Sequence, residues 1–178
     1  MFRLTRVLGF ILMAVAATQV AALADAYSDM AQVQKAFFAL HSFRALLSFD
    51  KGRTMQMEFV APDRWHEIMP GTMDATIIGQ TMKVNTHGMS MSIPVPASLN
   101  MSLQSMRGWA ADKNLKTDYK IVDLGMDGVL HKYEYDGQGA KSFMWVRKDH
   151  LPDHIVTTSQ GRTTTITYKD YNAPITIN

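Results

Sequence analysis

Residues 42–94 read SFRALLSFDKGRTMQMEFVAPDRWHEIMPGTMDATIIGQTMKVNTHGMSMSIP, and this stretch decides the fold. Short runs alternate apolar with polar residues, and each run is closed by a turn signal: Asp50-Lys51-Gly52, Ala61-Pro62-Asp63, Pro70-Gly71, Gly79-Gln80 and His87-Gly88. Alternation with period two selects one apolar face of a sheet, and closely spaced turns make the neighbours antiparallel. The stretch is a β-meander. Arg53, Met55, Met57 and Phe59 fall on one side of a strand; Met82 with Val84, and Met89 with Met91 and Ile93, repeat the pattern. Methionine is long, unbranched and polarisable, so a sheet lined with it makes either a soft core or the wall of a cavity for a flexible apolar ligand.

Outward from the meander, Met30, Val33, Phe37 and Leu40 recur at helical spacing. They predict an amphipathic helix from about Ser28, as N-cap, to His41, with its stripe against the sheet. Six strands are expected at about 43–50, 53–60, 64–69, 73–78, 81–86 and 89–93. Pro94 and Pro96, which lack an N–H, end the pairing. Ser98 then caps a second expected helix with Leu99, Leu103, Met106 and Ala110 on one face and Trp109 beside it. That helix interrupts the strands and is placed as a lid over the sheet, with Leu99, Leu103, Met106 and Trp109 as its inner residues. Strands resume at about 118–124, 128–136, 140–147, 153–159 and 162–169. The expected class is therefore mainly β (α+β), a single antiparallel domain of about eleven strands.

The chain has 18 Lys and Arg against 16 Asp and Glu. Arg3 and Arg6 precede an apolar run, Val7 to Val20, and the small-x-small site Ala22-Leu23-Ala24, which together read as a secretory signal peptide over residues 1–24. Cleavage is expected after Ala24 or Ala26, leaving a domain over 25–178. Removing the two arginines leaves 16 bases against 16 acids. A nucleic-acid surface needs a basic excess, so no nucleic-acid partner is expected. Cysteine is absent, so an exported domain must hold itself with its core, and no lipid-modified cysteine tethers it.

Other chemistries leave weaker traces. M-x-M pairs suit Cu(I), yet an alternating strand that uses methionine as its apolar residue produces the same spacing. His150-Leu151-Pro152-Asp153-His154 presents both rings together only on a helix, and Pro152 argues for a hairpin loop instead. No G-x-S-x-G elbow, cysteine nucleophile or phosphate-binding glycine loop occurs. Neither a catalytic centre nor a cofactor or metal is expected.

Several motifs occur together in order. They are Glu58-x-Val60-x-Pro62-Asp63-Arg64-x-His66, the hairpin Ile77 to Val84, Trp145 to Ile155, Thr165 to Asn172, and Pro174-Ile175. In this arrangement the chain resembles the LolA/LolB-like superfamily of periplasmic lipoprotein carriers and related lipid-binding proteins. The resemblance implies an incompletely closed antiparallel barrel whose concave apolar face holds lipoprotein acyl chains or another amphipathic lipid. Its implied wall is Met55, Met57, Phe59, Trp65, Met82, Val84, Met89, Met91 and Met144. It also implies a periplasmic location, transient membrane contact, and a hand-over partner in the inner or outer membrane. Ala61 stands where the carriers place an arginine before the proline, so the resemblance implies lipid binding without their arginine-held lid. An alternative reading fills the cavity with the chain's own side chains and leaves a regulatory or protein-interaction module.

Overall fold

β1 (Ser42–Phe49) occupies the middle of a sheet of eleven strands. The computed structural model describes residues 26–86, 88–95, 120–137 and 140–178. The expected lid helix, with Leu99, Leu103, Met106 and Trp109, lies outside the described residues. On one side of β1 the meander runs through β2 (Thr54–Val60), β3 (Arg64–Met69), β4 (Met73–Ile78), β5 (Thr81–Thr86) and β6 (Met89–Pro94). On the other side stand β11 (Arg162–Lys169), β10 (Pro152–Ser159), β9 (Ala140–Val146), β8 (Leu130–Gly137) and β7 (Lys120–Asp127). Every neighbouring pair is antiparallel, and β6 and β7 are unjoined edges, so the sheet curls without closing.

Turn chemistry matches the sequence. Gln160 and Gly161 both adopt positive φ between β10 and β11, the mirror-image turn whose twist suits a tight hairpin. The strand boundaries follow the expected ones closely, except that β7 continues to Asp127. It does so through an irregularity between Asp123 and Gly125, where Gly125 takes φ +79° and its N–H donates to the Asp123 carboxylate at 2.6 Å. Such a bulge needs a residue free of a Cβ penalty.

Helix α1 spans residues 26–38, starting before the expected Ser28 cap and ending short of His41. Ala26 continues the Met30–Val33 stripe one turn back and is completely buried, so Ser28 lies inside the helix, on its exposed side. Ala26, Met30 and Val33 pack on Ile121, Tyr133, Tyr135, Met144 and Val146 of β7–β9. Two tyrosines pin the contact: Tyr133 donates to Asp29 at 3.0 Å, and Tyr135 donates to the Met30 sulfur. Further along, the Phe37 ring lies tilted against Phe43 (5.0 Å) and edge-on to Tyr168 (5.4 Å), joining a second cluster of Leu40, Phe43, Ala45, Trp65 and Ile77. The C-terminal tail clasps the start of β1: Asn172 accepts from the His41 N–H at 2.7 Å, and Ser42 Oγ donates to Ala173 at 2.6 Å.

Because Met30 is fully buried at the centre of the first cluster, Met30→Ala should cost about 2–5 kcal/mol of unfolding free energy. Denaturant titration checks this; a loss under about 1 kcal/mol would mean that α1 does not anchor the sheet.

Candidate functional site: the concave apolar face

Register shows which side chains share a face. Phe43, Phe59, Trp65, Ile77, Met82 and Ile93 stand directly opposite one another across β1 to β6. The adjacent row runs Tyr168, Ala45, Met57, Glu67, Ala75, Val84 and Met91. A further row joins Tyr133, Met144, Ile155, Ile166, Leu47 and Met55. Met89 faces Thr86, two residues beyond Val84 on the same side of β5. The expected wall residues therefore share the concave side, which also carries α1.

They do not share one environment. Met144 is buried under α1 against Tyr135, at 3% exposure, and Trp65 is 4% exposed, with the Phe59 ring centroid 4.5 Å away. Both are already covered by the chain itself. Met55, Met57, Phe59, Met82 and Val84 are half-buried, while Met89 and Met91 are 62% and 50% exposed. Exposure on this face therefore rises toward β6, while Trp65, Ala75 and Ile77 of β3 and β4 are buried.

Polar groups set into this face were missed in the sequence. Glu67 sits between Met57 and Ala75, and burial raises its carboxyl above the ordinary value. Its signal was legible, because it is in phase with Trp65 and Met69 along β3. The Trp65 indole N–H and the Gln34 amide nitrogen are buried, with no hydrogen-bond partner among the described residues. Each is a donor left free in an apolar interior, where a missing partner is costly.

The convex face is polar and internally paired. Arg44 bridges Glu58 at 2.6 Å and Asp170 at 3.2 Å, while the His66 ring lies 3.3 Å from Glu58 and 3.0 Å from Asp74. Burial would raise the Glu58 carboxyl, but hydrogen bonds from Arg44 and His66 outweigh it and hold that carboxyl below its ordinary value. His154 lies on β10, stacked 4.2 Å from Trp145, and His150 lies in the preceding turn, so the two histidines do not share a helix face. At the far end of the sheet, a pocket of about 950 Å³ opens between the β1–β2 and β10–β11 turns.

No protein-family model matches the sequence, and no curated protein matches it. Solved structures do match in shape. The lipoprotein LppX of Mycobacterium tuberculosis superposes with a TM-score of 0.65 at 12% identity, over 85% of this chain and 97% of that one. LprF of Mycobacterium bovis superposes with a TM-score of 0.58 at 15% identity, over 86% and 96%. The chain shares the fold of these two proteins, an open antiparallel half-barrel. A LolA superfamily protein of Nitrosomonas europaea aligns more loosely, with a TM-score of 0.36 at 13% identity, over 85% and 94%. No helix among the described residues is long and apolar enough to cross a membrane.

Glu67 and Glu58 act in opposite directions on stability. A carboxyl with a raised pKa favours folding below its unfolded value of 4.5, and that benefit is lost as pH rises through the higher folded value. The depressed Glu58 stabilises above 4.5, and its contribution is lost as pH falls through the lower folded value. Glu67→Gln should therefore raise the midpoint of thermal unfolding at pH 7, with the gain vanishing as pH falls to 4.5. A gain independent of pH would show that charge burial is not its cause.

Proposed function

We propose that this protein binds and carries the acyl chain of a lipid or lipoprotein on the β2–β6 part of its concave face. The observation that carries the reading is the half-buried Met57, Met82 and Val84 leading to the exposed Met91 and Met89 at the β6 edge, an apolar surface continuous with the core. Removing chain methylenes from water supplies the affinity, at about 0.8 kcal/mol per CH₂ buried. Methionine suits cargo whose shape varies, because its side chain repacks at little cost. The shared fold with LppX and LprF supports this reading.

A carrier of this kind works outside the cytoplasm, in keeping with the leader at residues 1–24. Cleavage after Ala24 keeps Ala26, a fully buried core residue; cleavage after Ala26 discards it. The first site is therefore the one proposed. Binding is non-covalent and uses no cofactor, and no enzymatic step is assigned. Release needs transient contact with a membrane or a membrane-bound partner.

Site-resolved quenching tests the reading. Trp65 lies on the concave face, while Trp145 belongs to the convex one, 2.8 Å from Asp127. With Trp109 and Trp145 replaced by phenylalanine, a brominated fatty acid should quench the remaining Trp65. With Trp65 and Trp109 replaced instead, Trp145 should stay bright. Quenching of Trp145 alone, or of neither, would refute the concave site. Met91→Glu should weaken uptake at least about tenfold by placing an unpaired charge against the chain. Its effect on stability should stay within about 0.5 kcal/mol, because the site is half exposed.

A further inference from the structure

The pocket of about 950 Å³ at the end of the sheet differs in chemistry from the face that leads into it. Its apolar lining residue is Phe49, two residues along β1 from Leu47, so it is continuous with the Leu47–Met55 row. Its rim carries Lys51 and Arg53 from the β1–β2 turn and Arg162 from the β10–β11 turn. These turns meet because β1 pairs with β11, Phe49 standing opposite Thr164.

The rim's acid is already engaged. Asp50 accepts from the Thr163 backbone N–H with both oxygens, at 3.3 and 3.2 Å, which ties the two turns together. Among the described residues, no carboxylate lies within ion-pair distance of Lys51, Arg53 or Arg162. Three cations therefore converge on a concavity with a single acid beside them, in a domain that otherwise balances 16 bases against 16 acids over residues 25–178. Elsewhere among the described residues, Arg44, Arg147 and Lys141 are each matched to a carboxylate, while Lys83, Lys120, Lys148 and Lys169 are not but do not line this pocket. The concentration of free positive charge in this pocket marks it as a place for an anion.

Resting on the lipid-binding reading above, we infer that this pocket is the headgroup site and that it selects a phosphate-bearing lipid. Lys51, Arg53 and Arg162 bind the phosphate, and the acyl chain leaves past Phe49 onto the methionine-lined face. Guanidinium groups match phosphate oxygens with paired, charge-assisted hydrogen bonds, which an uncharged headgroup cannot accept equally well. Free phosphate shares this chemistry, but it has no use for the apolar exit.

The test compares two amphiphiles of equal chain length, lysophosphatidylglycerol and monoacylglycerol, by calorimetric titration of the full mature chain, with inorganic phosphate as a third probe. Lysophosphatidylglycerol should bind about tenfold more tightly than monoacylglycerol. That preference should fall sharply at about 0.5 M salt, where the screening length is only a few ångströms. The triple variant Lys51→Gln, Arg53→Gln, Arg162→Gln should bind both amphiphiles alike, at the monoacylglycerol level, with an unchanged thermal midpoint. Equal binding of both lipids to the unaltered protein, or a preference that survives in the variant, would overturn the headgroup site and leave the acyl-chain reading standing. Uptake of neither lipid would overturn the acyl-chain reading and this inference with it. Inorganic phosphate binding as tightly as the lysolipid would make the pocket a free-anion site and overturn the lipid assignment.

Discussion

The register of one continuous antiparallel sheet is the constraint on which the rest depends. Once β1 pairs with β2 and β11, the period of two sends Phe43, Ala45 and Leu47 to one side, and each partner strand follows in phase. Eleven strands in phase build an apolar surface larger than one short helix can cover. α1 covers the β7–β9 end, held by Tyr133 on Asp29 and Tyr135 on Met30, and its last turn reaches β1 through Phe37. The 13 described residues of α1 span roughly 20 Å at about 1.5 Å per residue, while eleven strands about 4.8 Å apart make a far wider sheet.

The two faces then take different electrostatic roles. Convex charges are paired with one another: Arg44 with Glu58 and Asp170, His66 with Glu58 and Asp74, Lys141 with Glu134. These partly exposed pairs contribute little individually. The concave side has an unmatched acid, Glu67, inside an apolar row, and unmatched cations at its mouth. Unpaired ionisable groups gathered in a concave place are the kind that recognition uses.

Much of this was legible in the sequence, because strand periodicity and turn residues are local. Asp50-Lys51-Gly52, Pro70-Gly71 and Gln160-Gly161 delimit strands wherever the chain folds, and alternation put Met55, Met57, Met82, Val84, Met89 and Met91 on a common side. The start of α1 was misplaced because Ser28 looks like a cap, whereas Ala26 continues the buried stripe a turn earlier. The extension of β7 depends on a bulge at Gly125, where the alternation slips and the local signal breaks. Met144 was not separable from its exposed counterparts, because its burial comes from α1, far away in the chain. The cations of the rim were equally hidden. Lys51, Arg53 and Arg162 come together only through β1–β11 pairing, which no local pattern records.

The central claim is that the open part of the concave face exists to hold an acyl chain. Native mass spectrometry of the mature chain, purified from its own cells without detergent, tests this most directly. The account predicts a discrete added mass that is lost on denaturation and identified as a lipid. A bare polypeptide mass, with no uptake of a fluorescent fatty acid afterwards, would contradict it and reduce the methionine face to the rim of a core.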